Sequence, residues 1–345
     1  MKKLFALAAV FLVTAMLLPA CAPARPDCAS QEMFCVGLVT DIGKITDRGF
    51  NQSAWRAVQQ AQQELGAFVQ YIETSDTRDY AKNIATFADE NYDVIVTVGF
   101  NLREATRSAA EMNPNIKFIG VDQDQFDGTM ENVAGLIFPE DHAGFLVGAL
   151  AAMMSETHKV GAVCASDDIP PVWRLGEGYR AGAAYADELT GTSTDVLVLY
   201  HNDVSFDTTF VDPEWGEASA DAMAKEGVDV MFGCGGVTGN GAIIAAAQAG
   251  LYAIGVDTDQ YLTLPEAAPR MLSSAMKLIT PGVFELLQSA RNGNFPSGNY
   301  SGQVSYAPFH DLDNQIPAEV KAAMEQINAG LLDGSIETSV PAEKP

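Results

Sequence analysis

Two aspartates at matching places in the two halves of the chain are the first candidates for chemistry. Asp122 stands in Gly120-Val121-Asp122-Gln123-Asp124-Gln125, and Asp257 in Gly255-Val256-Asp257-Thr258-Asp259-Gln260. Upstream, Tyr92-Asp93-Val94-Ile95 matches Val228-Asp229-Val230-Met231. Asp93 to Asp122 spans 29 residues and Asp229 to Asp257 spans 28. An ionised carboxylate accepts hydrogen bonds with two oxygens and donates none, so each of these residues is a candidate acceptor.

Other residues could join them. Asp41 ends the first apolar run in Val39-Thr40-Asp41-Ile42-Gly43, and Asp47-Arg48-Gly49-Phe50-Asn51-Gln52 opens the next helical pattern. Asp47 and Asn51 there either cap free N–H groups or contact a ligand. Phe50 either staples the helix start to the core or stacks on a ring. Phe206, in Asp203-Val204-Ser205-Phe206-Asp207, either stacks or anchors its loop. Lys277 ends Ser273-Ser274-Ala275-Met276, where an ammonium needs a carboxylate, a ligand or solvent. The glycine-rich turn around Gly235, from Gly233 to Gly241, superficially suggests a dinucleotide fingerprint. It lacks the GxGxxG spacing and has no lysine for a phosphate loop, so its plainer use is close backbone approach.

Elements must position these side chains. Short apolar runs at 34–39, 68–72, 94–98 and 116–121 predict buried strands, separated by helical patterns at 51–65, 80–90 and 102–112. A second series has strands at 159–164, 195–200, 228–232 and 252–256, with helices near 175–189, 215–226 and 240–249. This alternation predicts an α/β protein of two doubly wound parallel-sheet lobes. Both aspartates fall at the carboxyl ends of strands, where ligands of open α/β sheets bind. Residues 133–138 read as a last first-lobe strand, 142–155 as a crossover helix and 271–277 as a return between lobes. The expected division is 33–139 plus about 257–292 for the N-terminal lobe and hinge returns, and 140–256 plus about 293–330 for the C-terminal lobe. A flexible tail is expected over 331–345.

Acidic residues number 45 against 20 basic ones, a net charge of −25. Nucleic-acid affinity rests on cationic contacts with phosphates, so no nucleic-acid partner is expected. There is no nucleophile elbow and no histidine recognisably paired with Ser or Cys. No CxxC pair occurs, and His142, His158, His201 and His310 are scattered. No catalytic residue, metal or cofactor is therefore expected.

Met1-Lys2-Lys3 followed by uncharged residues 4–20 describes a secretory signal. Leu18-Pro19-Ala20-Cys21 resembles a bacterial lipobox, implying removal of residues 1–20, lipid on Cys21 and a tether over 21–32. The alternative is an uncleaved membrane anchor. Four cysteines remain, and an even number outside the cytoplasm permits disulfides. Cys28 with Cys35 and Cys164 with Cys234 are the favoured pairs, because the latter two end strand-like runs in the same half.

As an ordered set, Thr40-Asp41, Asp47 to Gln52, Gly120-Val121-Asp122, Gly235-Gly236-Val237-Thr238-Gly239, Gly255 to Gln260 and Ser274-Ala275-Met276-Lys277 resemble the basic-membrane-protein family of bacterial lipoproteins. The resemblance runs from about Val36 to about Phe309. Its best-understood members are purine-nucleoside receptors of ABC importers. The resemblance implies a type I periplasmic-binding-protein-like fold, two lobes joined by a three-strand hinge and closing on ligand. By position, it implies Phe50 and Phe206 sandwiching a base, with Asp41 on the base edge. Asp122 and Asp257 would contact base or ribose from opposite lobes, and Gly235 and Lys277 would complete the sugar site. The implied partners are a nucleoside, the permease and ATPase of an importer, and the membrane through the lipid; the chain is expected to be a monomer. Gly49 stands where the family often has Ser, and Ile42 where it often has Asn or Gly. Rival readings are a sugar or autoinducer receptor of the same fold, or an exported nucleoside-processing enzyme.

Overall fold

Continuous apolar runs are buried on both faces only in a sheet that helices cover on both sides; the inner strands here are used in that way, whereas Phe68–Thr74 and Asp195–Tyr200, expected to be buried, lie at the sheet edges and stay partly exposed. The computed structural model describes residues 27–30, 32–125 and 130–345; the signal segment and Cys21 lie outside them. The strands are β1 (Cys35–Ile42), β2 (Phe68–Thr74), β3 (Val94–Val98), β4 (Lys117–Val121), β5 (Val133–Ile137), β6 (Lys159–Cys164), β7 (Asp195–Tyr200), β8 (Val230–Cys234), β9 (Tyr252–Asp257), β10 (Met271–Lys277), β11 (Gly298–Ser301) and β12 (Val304–Tyr306). They form two six-stranded sheets, ordered β11-β5-β4-β3-β1-β2 and β12-β10-β9-β8-β6-β7. Every residue of β3 and β8, in the middle of the two sheets, is buried.

The two orders are the same order, so the repeat seen around Asp122 and Asp257 extends to whole sheets. β4 and β9, which lead to the two aspartates, occupy equivalent positions. Pairing is parallel except at β12, which runs antiparallel to β10. One face of the first sheet carries the helices Phe50–Leu65 and Ile279–Arg291, and the other carries Tyr80–Asp89 and Arg103–Met112. In the second lobe, Glu140–Met154 and Pro170–Thr190 cover one face, while Pro213–Lys225 and Gly236–Gln248 cover the other.

The chain passes between lobes after β5, after β10 and after β11. Neighbouring passages are tied together: Gly302 N–H donates to Ile137 O at 2.7 Å, and Leu278 N–H to Gln303 O at 2.9 Å. This corrects the expected division. Residues 271–277 are an interior strand of the second sheet, paired in parallel with β9. The helix Ile279–Arg291 and β11 belong to the first lobe, so residues 293–301 do as well. Sequence pattern identified β1 to β9, but it read 271–277 only as a return and named neither the helix Ile279–Arg291 nor β11 and β12, because which of two equivalent sheets a late segment joins is not a local property.

Two further expectations change. The tether ends earlier than residue 32, since Cys28 is buried and bonded to Cys35. The tail is held down: Arg174 Nη1 donates to Ala342 O at 2.8 Å, Lys344 pairs with Asp167 at 2.8 Å, and Thr338 Oγ1 donates to Asp141. Its side chains gave no hydrophobic signal, because the anchoring is by hydrogen bonds and an ion pair. The second disulfide joins Cys164 and Cys234, opposite each other in β6 and β8.

Candidate functional site

Because ligands of such sheets lie beyond the strand ends, the space between the lobes is where the repeat should act. A pocket of about 740 Å³, including its open mouth, lies there, within the usual size of small-molecule clefts. All eight ligand residues expected from sequence line it: Asp41, Phe50, Asn51 and Asp122 from the first lobe, and Phe206, Gly235, Asp257 and Lys277 from the second.

Asp41 sits near the end of β1, where its carboxylate accepts from the Ile42 N–H at 2.7 Å and from the Tyr80 hydroxyl. Burial raises its pKa to about 6 against those hydrogen bonds. Asp122 and Asp257 directly follow and end their strands with φ of 59° and 65°, a left-handed turn that aims each carboxyl off the strand end. Burial raises Asp122 to about 6 and Asp257 to about 7, the neighbouring ammonium of Lys277 opposing both. Lys277 is itself buried; burial disfavours its charge, but Asp122, Glu140 and Asp257 outweigh that and raise its pKa. Its Nζ hydrogen-bonds Asp122 across the lobes and lies 3.4 Å from Glu140, with the rings of Phe50 and Phe138 within 5.1 and 5.0 Å.

Gly235 has a packing reason for its identity. Its φ is 137°, and a Cβ there would stand 2.4 Å from the Cβ of Ala165. Asp47 resolves towards capping: its carboxylate accepts from the N–H groups of Gly49, Asn51 and Gln52 at 3.0, 2.8 and 3.0 Å. It still lines the pocket. Phe206 opens a short helix, Phe206–Thr209, and packs edge-on to Phe210 at 5.5 Å.

Sequence reasoning missed several participants. Phe100 and Phe210 add rings, and Pro171, Val172 and Leu175 supply an apolar wall. Glu140 is 1% exposed and joins Lys277 to Arg174, whose Nη2 lies 2.7 Å from it. The one available signal was an acid at the start of an apolar helical run. Within the pocket, Asp122 Oδ1 and Asn51 Oδ1 are buried without a hydrogen-bond partner among the described residues. Unmet buried acceptors are costly, by about 1–3 kcal/mol each, so a donor-rich occupant would stabilise them.

Two lobes of equal topology around a largely apolar pocket, walled by aromatic rings and set with a few carboxylates and one lysine, define a solute-binding protein of the type I periplasmic class. A solute-binding protein of an ABC transporter from Aeropyrum pernix has the same fold, with a TM-score of 0.79 and 23% identity over 88% of this chain and 92% of that one. The chain belongs to the Bmp family, the PnrA-like ABC transporter substrate-binding proteins, whose family model matches residues 34–301. Among relatives, the ABC transporter nucleoside-binding protein BmpA of Lactococcus lactis is 28% identical over 370 residues, covering 99% of both chains. An uncharacterised lipoprotein of Pyrococcus furiosus is 28% identical over 273 residues, 76% of this chain and 66% of its own.

Proposed function

We propose that this protein captures a nucleoside, with a purine base, between its lobes outside the cytoplasm and delivers it unchanged to the permease of an ABC importer. Lipid on Cys21 keeps it at the membrane. The observation that carries the reading is the pocket itself: each lobe contributes an aromatic ring and a carboxyl at a strand end. A base stacked on such rings gains about 1–3 kcal/mol. Ribose hydroxyls are donors, and Asp122 Oδ1 is a buried acceptor without a partner among the described residues. Among the described residues, Asp41, Asp47, Asp122 and Asp257 share the pocket with a single cation, Lys277, which disfavours a ligand carrying phosphate. The name of the Lactococcus relative agrees with a nucleoside, and that of the Pyrococcus relative with a lipid anchor.

Calorimetric titration of ligand-stripped protein with guanosine, adenosine, inosine, cytidine, uridine and ribose tests the proposal. One-to-one binding of purine nucleosides without a ribose response is expected. Asp257→Ala and Phe50→Ala should each weaken it about tenfold or more, roughly 1.4 kcal/mol. Silence towards all nucleosides, or ribose binding as tightly, would reject the ligand class; free base appearing in the cell would reject a receptor without catalysis. Cys21→Ser should move the protein from the membrane to the soluble fraction; continued membrane association would count against the lipid.

A further inference from the structure

Gln125 and Gln260 occupy the same place in the internal repeat, three residues beyond Asp122 and Asp257. The structure uses them differently. Gln125 stays within its lobe, donating to Val133 O at 2.7 Å and Gly298 O at 3.3 Å and accepting from the Met130 N–H at 3.1 Å. Gln260 is 1% exposed and divides its amide between the lobes. Its Oε1 accepts from the Val256 N–H at 2.8 Å, one residue before Asp257. Its Nε2 donates to Asn240 Oδ1 at 2.8 Å and, across the cleft, to Arg48 O at 3.2 Å.

Other groups secure the same turn. Asn240 Nδ2 donates to Asp47 O at 2.8 Å, Thr263 Oγ1 to Arg48 O at 2.7 Å, and Glu266 pairs with the Arg48 guanidinium at 2.8 Å. Arg48 has φ 65°, a left-handed conformation that a residue with a side chain keeps only where its surroundings fix it. A Cβ added to Gly49 would lie 3.8 Å from the Asp257 carboxyl and 3.9 Å from the Gln260 amide, so both groups stand beside this turn. Phe50 follows at once. Asn240, Gln260 and Thr263 do not line the pocket.

We propose that Gln260 is a positioning residue for ligand capture: it locks the Asp47–Gly49 turn of one lobe to the Asp257 turn of the other. The lock sets the distance between Phe50 and Asp257 and favours the closed lobes without touching the ligand. Whatever shifts the closed fraction shifts apparent affinity in proportion, and it does so mainly through release. The inference rests on the nucleoside reading of the pocket for its kinetic half and on the interlobe bonds alone for its conformational half.

The test labels the full chain at Met112→Cys and Leu189→Cys, exposed positions on opposite lobes. Pulsed electron resonance reads their separation with and without nucleoside, and stopped flow reads binding and release. Gln260→Glu retains an acceptor for the Val256 N–H but sets a carboxylate oxygen against Arg48 O and Asn240 Oδ1. It and Gln260→Ala should widen the interlobe separation and speed release about tenfold, roughly 1.4 kcal/mol. Association rate and the ranking of nucleosides should stay the same. Thr263→Val, a gentler change should the first two fold poorly, should shift both quantities less and in the same direction. Unchanged separations and release rates in folded variants overturn the lock, and an altered ranking of nucleosides overturns it by making Gln260 a ligand contact. If no nucleoside binds, the ligand reading fails while the separations still decide: widened in the variants, the lock stands; unchanged, it falls.

Discussion

Burial raises the pKa of Asp257 to about 7 from an ordinary 3.8, so near neutrality its carboxyl is divided between two forms. The folded protein then holds this proton more tightly than the unfolded chain does. The stabilising contribution is complete below about pH 4 and is lost as the pH rises through about 7. Asparagine has no such loss. Asp257→Asn should therefore melt above the wild type at pH 8 and level with it near pH 4, as thermal unfolding at the two pH values will show. An equal difference at both would mean that the carboxyl is not held in this way. Keeping an ionisable group at some expense of stability is reasonable where it binds the ligand, and the same substitution should weaken nucleoside binding.

At the scale of elements, the site depends on how closely two helices approach. Glu140 begins the helix Glu140–Met154, and Arg174 lies in the first turns of Pro170–Thr190. Their ion pair, which holds Glu140 beside Lys277, forms because these helices pack almost backbone to backbone. A Cβ on Gly148 would stand 2.0 Å from Tyr179 O, and one on Gly182 would stand 1.9 Å from Phe145 O. Gly148→Ala should drive the pair apart and destabilise the fold by about 1–3 kcal/mol. Urea denaturation should show a lower midpoint with an unchanged slope; an unchanged midpoint would mean the helices can separate freely. The glycines were visible in the sequence, but nothing there said which backbone each would meet.

For the whole molecule, three chain passages and the interlobe contacts of Lys277, Asn240 and Gln260 describe lobes drawn together. If closure accompanies capture, X-ray scattering should show the radius of gyration falling when nucleoside is added to stripped protein; a constant value would count against closure. Much of this architecture was legible in advance. Alternating apolar runs gave two α/β lobes because the strand and helix periods are local properties of the chain. The repeat placed Asp122 and Asp257 at equivalent strand ends, and an ordered motif set brought Asp41, Phe50, Asn51, Gly235 and Lys277 into the same expectation, with Phe206 added by position from the family resemblance alone. Tertiary structure alone decided that β10 joins the second sheet and β11 the first, since both edges were open to either strand. It alone brought Glu140, Arg174 and Phe100 to the site, and it gave Gln125 and Gln260 different work from the same repeat position. Local sequence sets what each segment can form and which chemistry it carries. Which distant groups meet is set by how the two lobes pack, through contacts between residues far apart in the chain.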